Sequence, residues 1–336
     1  MPSPAVRGKP LLVLGMHRSG TSSFAGLASR LGAELGKDLL AADQWNPRGY
    51  GEHRGVMEIH DRFLAAQGLR WDSPRRPGHF AGPAADEARA ALAALLEREF
   101  AAAPLFAVKD PRLCRLLPLW RPLLASLPHP PACVIVIRHP LEIAASLERR
   151  DGIARSRSHL LVMEHLLPAE RETRDLARSV VFYDDLTADW RGVAKRVAAE
   201  CDFRWPRDPE AAAFDVEAFL SADLRHHRSV EWPPEEAARY PAVVALHREL
   251  TALALRGASD DRSRALDRLE EELAAAAALY EPELAALEGH VAMLAGQCAH
   301  VEKEARKAER KRDALADSPL LWLRTFLRRR TRGGPV

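Results

Sequence analysis

Apolar residues in this chain alternate between two spacings. Short solid runs, four or five residues long, stand at Leu11–Leu14, Leu105–Val108, Cys133–Ile137 and Val180–Tyr183. Each run gives way to a spaced pattern of helical period. After the first come Phe24, Leu27, Ala28 and Leu31. After the second comes a helix over Leu113–Leu124, with interruptions at Pro118 and Pro122. After the third come helices over Leu141–Arg150 and Arg155–Leu176, and after the fourth a helix over Thr187–Cys201. Two further helices are predicted between the first two runs. One spans Glu52–Leu64, with Val56, Ile59, Phe63 and Leu64 on one side, and an alanine-rich one spans Ala84–Ala102. Solid β-branched runs such as Cys133–Ile137 are the mark of parallel strands covered on both faces. The alternation therefore predicts an α/β fold, a parallel sheet flanked by helices. Right-handed crossovers put every loop that follows a strand on the same sheet edge, where ligands bind in such folds.

The rhythm stops after Trp205. A helix-like stretch, Phe214–Arg228, ends in a basic cluster, and beyond Pro234 the chain is almost wholly helix-forming. Leu287, Val291, Leu294, Cys298, Val301, Ala305 and Ala308 recur at alternating spacings of four and three, the seam of a coiled coil. An earlier piece, Leu266, Leu269, Leu273, Ala276 and Tyr280, is set off by Pro282. The expected division is an α/β domain over 1–230 and a helical, coiled-coil extension over 231–336, with homo-oligomerisation through these helices as one use. Ser318–Arg330 reads SPLLWLRTFLRRR, the composition of a helix that lies on anionic lipid or packs on a partner.

Composition narrows the classes. Net charge is +2, from 49 basic and 47 acidic residues, which is no nucleic-acid signature. Cys114, Cys133, Cys201 and Cys298 are widely spaced with no C-x-x-C pair, which argues against a zinc site or a disulfide framework. The histidines have no ligand spacing, and no metal is implied. The N-terminus reads without a signal peptide, and no apolar run is long enough to span a membrane. A cytoplasmic protein is expected, with the basic tail as a possible contact to the inner face of the membrane.

Candidate chemistry lies at the strand ends. Gly15–Gly20 has the G-x-x-x-x-G spacing of a Walker A loop between a strand and a helix. Backbone N–H groups of such a loop cradle a phosphate at the helix N-terminus. The Lys-Ser/Thr ending of a triphosphatase is replaced by Thr21-Ser22, and the cation comes earlier, at Arg18. Lys109 ends the second strand. Arg138 ends the third, with the hydroxyl of Ser146 eight residues on, a pair able to hold a second phosphate. Tyr183 ends the fourth.

This set resembles the sulfotransferases that use 3′-phosphoadenosine 5′-phosphosulfate (PAPS). His17-Arg18-Ser19-Gly20-Thr21-Ser22 matches their phosphosulfate loop, and Gly-Met-His-Arg-Ser-Gly-Thr-Ser is close to bacterial members. Arg138 and Ser146 match the 3′-phosphate pair in order and spacing, and Tyr183-Asp184-Asp185-Leu186 matches the turn whose Tyr packs near the adenine. The likeness covers roughly residues 10–205 and implies a P-loop-like fold. It also implies transfer of a sulfuryl group from PAPS to a hydroxyl or amine, a carbohydrate or glycolipid being the favoured acceptor. Arg18, Lys109 and the loop residues would stabilise charge. The family's Lys-Thr-His strand end reads Lys109-Asp110-Pro111 here, so the base must come from elsewhere. Glu52, which follows the NPRGYG loop, is the first candidate, with His53, His60 and Asp110 behind it. A nucleotide kinase and an inactive nucleotide-binding or coiled-coil interaction protein are the alternatives.

Overall fold

The computed structural model describes residues 6–220 and 231–316; the basic cluster after Ser221 and the amphipathic stretch 318–330 lie outside them. The strands β1 (Lys9–Leu14), β2 (Leu105–Lys109), β3 (Ala132–Ile137) and β4 (Ala177–Phe182) form one parallel sheet in the order β2-β1-β3-β4. β1 pairs with β2 and β3, and β3 with β4, in parallel register throughout.

Alternate residues of the strands feed two cores, as a two-residue side-chain period requires. Leu12, Leu14, Cys133, Ile135 and Ile137 face one side. There they meet α2 (Arg54–Ala65), α3 (Pro83–Phe100), α4 (Leu113–Ala125), α5 (Pro140–Asp151) and α6 (Arg155–Arg171). Leu11, Val13, Ala132, Val134 and Val136 face the other. They meet α1 (Thr21–Arg30), α7 (Tyr183–Ala188), α8 (Trp190–Glu200) and α9 (Ala213–Phe219).

Several boundaries differ from the pattern reading. Pro118 and Pro122 do not interrupt α4, which runs on through both. A proline inside a helix costs about 3 kcal/mol. Here the helix buries Leu113, Leu116, Leu117, Leu119, Trp120, Leu123 and Leu124. At about 1.5–3 kcal/mol for each large apolar side chain, that burial outweighs both prolines. α6 stops at Arg171, and the hydroxyl of Thr173 donates to the Ala169 carbonyl at 2.7 Å. Tyr183 opens α7 rather than closing β4.

The chain forms two compact units, Met1–Ala274 and Ala275–Val336. The first unit takes in the helices that follow residue 230. The reason is apolar packing. α10 (Pro234–Arg239) leads into α11 (Pro241–Arg256), whose Val243, Leu246, Leu250 and Leu253 join the core of the first unit, as do Leu266 and Leu273 at the start of α12 (Asp260–Ala316). Ion pairs reinforce this seam: Glu270 takes Arg76 at 3.0 Å and Arg171 at 2.6 Å. In the second unit α12 continues through Pro282, with Leu287, Val291, Leu294 and Val301 exposed. Among the described residues no helix is long and apolar enough to cross a membrane.

Three histidines sit in this packing. Burial lowers His165 to about 3, and His159 and His247 to about 4. In the unfolded chain they would take up protons near pH 6.5. Their neutral, buried form therefore stabilises the fold fully above that pH, and the contribution is lost as pH falls below it toward the folded values. The urea midpoint should fall between pH 7 and pH 5, with fully buried His165 alone adding a slope of up to about 1.4 kcal/mol per pH unit. A midpoint flat over that range would contradict this packing.

Candidate active site

The first site element is the turn between β1 and α1. Its glycines are required by close approach as well as by backbone angle. A Cβ on Gly15 (φ +145°) would stand 2.5 Å from the Val136 carbonyl oxygen, and one on Gly20 (φ +98°) 2.2 Å from the Tyr183 ring. Arg18 also takes a positive φ, 69°. The turn is closed by the Ser19 N–H, which donates to the Met16 carbonyl at 3.1 Å. It is anchored by the Gly15 N–H, which donates to Cys114 Sγ at 3.0 Å. No side chain caps α1, so its first-turn N–H groups and the helix dipole face the loop. The Ser19 hydroxyl is buried with no hydrogen-bond partner among the described residues. These features fit a phosphate.

Side chains from the other strand ends converge on this loop. Arg18 donates from Nε to Ser146 Oγ at 2.8 Å and from Nη1 to the Trp45 carbonyl at 3.2 Å. Arg138 donates from Nη1 to the Arg18 carbonyl at 3.2 Å, pairs through Nε with Glu142 at 2.6 Å and lies 4.7 Å over the Tyr183 ring. Burial, then the nearby charges of Arg150 and Arg138, lower the pKa of Arg18. The crowding of cations disfavours its charge, and an anion between them would relieve it.

Lys109, at the end of β2, is buried and pairs with Glu52 Oε1. It also donates to Ser22 Oγ at 3.2 Å, which accepts from Asn46 Nδ2 at 3.2 Å as well. Ser22 thus accepts twice, and its own proton is its remaining hydrogen-bonding capacity. Arg112 Nη1 stands 3.9 Å from Glu52 Oε2 and 3.0 Å from Asp110 Oδ1, while its Nε bonds Asp61 at 2.6 Å. Behind it, Asp110 Oδ2 lies 2.9 Å from His60 Nδ1, and His60 Nε2 accepts from Trp120 Nε1 at 2.8 Å. Accepting there places the histidine's proton on Nδ1, donated to Asp110. Burial opposes ionisation of Asp110, but the Arg112 guanidinium and the His60 bond outweigh it and hold the carboxyl far below its ordinary range.

Of the four groups considered as a base, Glu52 lines the cleft between these elements, and the other three do not. His60 and Asp110 are committed to each other. His53 caps α2, accepting from the Gly55 N–H at 3.1 Å, and turns Nε2 toward Glu99 at 3.6 Å. The cleft holds about 500 Å³ and is lined by His17, Arg18, Gly20, Thr21, Ser22, Lys109, Arg138, Ser146 and Tyr183, all named from the sequence; Ser19 is buried just behind them. His17 rests 4.3 Å from the Trp71 ring, and burial, reinforced by Arg112, holds it neutral, well below its usual pKa.

Pattern reading missed several lining residues. Gln44, Trp45, Asn46, Arg48 and Tyr50 come from the loop before α2, and Arg149 and Arg150 from the end of α5. The loop is held in shape by Tyr50, whose hydroxyl donates to Asp43 at 2.7 Å; burial and that carboxylate push its pKa up to about 12. Its two aromatics between turn formers were the available signal. Arg149 and Arg150 carried a signal too, since they lie one helical turn beyond Ser146. The wall is strongly cationic, with Glu52 its carboxylate among the described residues.

Trp120→Phe removes the indole N–H that His60 Nε2 accepts and also part of the buried ring's volume. It should cost about 1–3 kcal/mol in denaturant unfolding. Unchanged stability would show that the network does not support this wall of the cleft.

No protein-family model matches the chain, and no curated protein shows significant similarity to it. Solved structures do. The sulfotransferase domain of the Synechococcus PCC 7002 olefin synthase aligns at 18% identity and a TM-score of 0.39, over 82% of this chain and 96% of that one. The sulfotransferase domain of the curacin biosynthetic pathway aligns at 12% and 0.37, over 73% and 98%. Sulfotransferase STF1 from Mycobacterium tuberculosis H37Rv aligns at 13% and 0.39, over 66% and 78%. At these identities and TM-scores they establish neither membership of a family nor an activity.

Proposed function

We propose that the chain is a PAPS-dependent sulfotransferase acting on a hydroxyl of a carbohydrate or glycolipid acceptor. The observation that carries this reading is the meeting, in one cleft, of the uncapped loop at 15–22, of Arg138 and Ser146, and of the buried Lys109–Glu52 pair. Arg138 and Ser146 hold the 3′-phosphate. Arg18, Ser22 and the first-turn N–H groups of α1 hold the 5′-phosphate, and Tyr183 flanks the adenine. PAPS supplies an activated sulfuryl group. The acceptor oxygen forms its bond to sulfur as the bond from sulfur to the 5′-phosphate oxygen breaks, and the acceptor proton passes to Glu52. Lys109, beside that carboxylate and Ser22, stabilises charge on the departing oxygen.

Two variants test the assignments separately. Arg138→Ala should weaken 3′-phosphoadenosine 5′-phosphate binding by on the order of 1.5–3 kcal/mol, the worth of a charged hydrogen bond. It should hardly change binding of a nucleotide without the 3′-phosphate, and equal losses for both would refute the site. Glu52→Gln should lower turnover of labelled PAPS on a glycan panel by about 10²–10⁴ while leaving nucleotide affinity near wild type. Turnover retained in Glu52→Gln would remove Glu52 as the base without touching the nucleotide assignment.

A further inference from the structure

The second unit presents a line of large apolar side chains to solvent. Leu287, Val291, Leu294 and Val301 are 57%, 65%, 53% and 65% exposed, and Cys298 is exposed among them. Their 4–3 spacing continues through Ala305 and Ala308. With Leu284 and Val291 at heptad position a, Leu287, Leu294, Val301 and Ala308 fall at d. An exposed heptad seam of this length is a docking face for another helix.

The order of side chains along the seam indicates which helix. Its first half is large, Leu284, Leu287, Val291 and Leu294; its second half is smaller, Cys298, Val301, Ala305 and Ala308. Reversed and laid against itself, the seam is self-complementary. Leu284 faces Ala308 of the second copy, Leu287 faces Ala305, Val291 faces Val301 and Leu294 faces Cys298. All four pairs share one register and repeat across a two-fold axis. Large-to-small layers of this kind fill the core without voids. The flanking g positions agree in the same register, setting Glu283 against Lys311 and His290 against Glu304. On the other flank the register sets Glu302 against Glu288 and Glu309 against Glu281; Glu302 and Glu309 each carry an arginine of their own helix, Arg306 and Arg312, at 3.7 Å, which weakens that repulsion. A parallel pairing does worse. It stacks Ala305 on Ala305 and Arg312 on Arg312, and it forms neither the Glu283–Lys311 nor the His290–Glu304 contact.

We infer that the face of α12 over residues 284–308 is a homodimer interface, formed by a second copy of this chain in antiparallel two-fold pairing. The inference does not depend on the chemistry of the cleft.

Sedimentation of the full chain at tens of micromolar and spin-label distances test it together. The wild type should sediment as a dimer. Leu287→Glu with Val291→Glu, both on the exposed face, should raise the dimer dissociation constant at least tenfold without loss of helix content. A monomeric wild type, or a double variant that dimerises equally well, would overturn the proposal. For orientation, a nitroxide on Lys307→Cys in a Cys298→Ala background reports the strand sense, since the remaining cysteines are buried. In the antiparallel register residue 307 lies opposite residue 285, and at 1.5 Å per residue the two labels stand roughly 33 Å apart along the axis. A label distance under about 20 Å would mean parallel helices and reject the register.

Discussion

Cations forced out of water at one sheet edge are the constraint on which the rest of this structure depends. Burying an ionised group costs several kcal/mol unless it is paired and hydrogen-bonded. β2 delivers Lys109 to a position that is only 3% exposed, and the next turn adds Arg112 at 7%. Glu52 answers Lys109; Asp110 and Asp61 answer Arg112. Glu52 stands just before α2, Asp61 within it and Asp110 in the turn after β2, so the charge pairing ties these segments together at the end of β2. Arg138 is answered by Glu142 one helical turn along α5. What is left over is a cleft wall richer in cations than in carboxylates, and that surplus favours an anion there.

Much of this was legible in the chain itself. The solid run Leu11–Leu14, the glycines at 15 and 20 and the helical pattern after them can hardly form anything but a strand, tight turn and helix. Arg18, Lys109, Arg138 and Tyr183 could be assigned to one edge because parallel crossovers have one hand. Ser146 was picked out by its distance of eight residues from Arg138 and by the resemblance of that spacing to the sulfotransferase 3′-phosphate pair. The loop before α2 was not legible as a wall of the site. Its place depends on contacts far apart in sequence, the Trp45 carbonyl on Arg18 and Asn46 on Ser22. Likewise His60 and Asp110 look like a base from composition, and only their mutual contact and the bond from Trp120 show them committed to holding Arg112.

The prolines of α4 and the boundary at Ala274 teach a related lesson. Local rules break a helix at Pro118 and Pro122, yet α4 buries enough apolar surface to override them. Periodicity identifies α11 and α12 as helices but does not say what they pack on. Val243, Leu246 and Leu250 belong to the sheet's own core, while the same apolar spacing past Leu284 meets solvent. One rule of spacing therefore serves two ends, and burial alone tells them apart.

Titration calorimetry on the wild-type chain tests the central claim most directly, with 3′-phosphoadenosine 5′-phosphate, adenosine 5′-phosphate and ATP–Mg²⁺ as the three ligands. The proposed pair of phosphate sites, with Tyr183 beside the adenine, predicts that the bisphosphate binds at least about tenfold more tightly than the monophosphate, and more tightly than ATP–Mg²⁺. Equal affinity for the two adenosine phosphates, or a preference for ATP–Mg²⁺, would contradict the account.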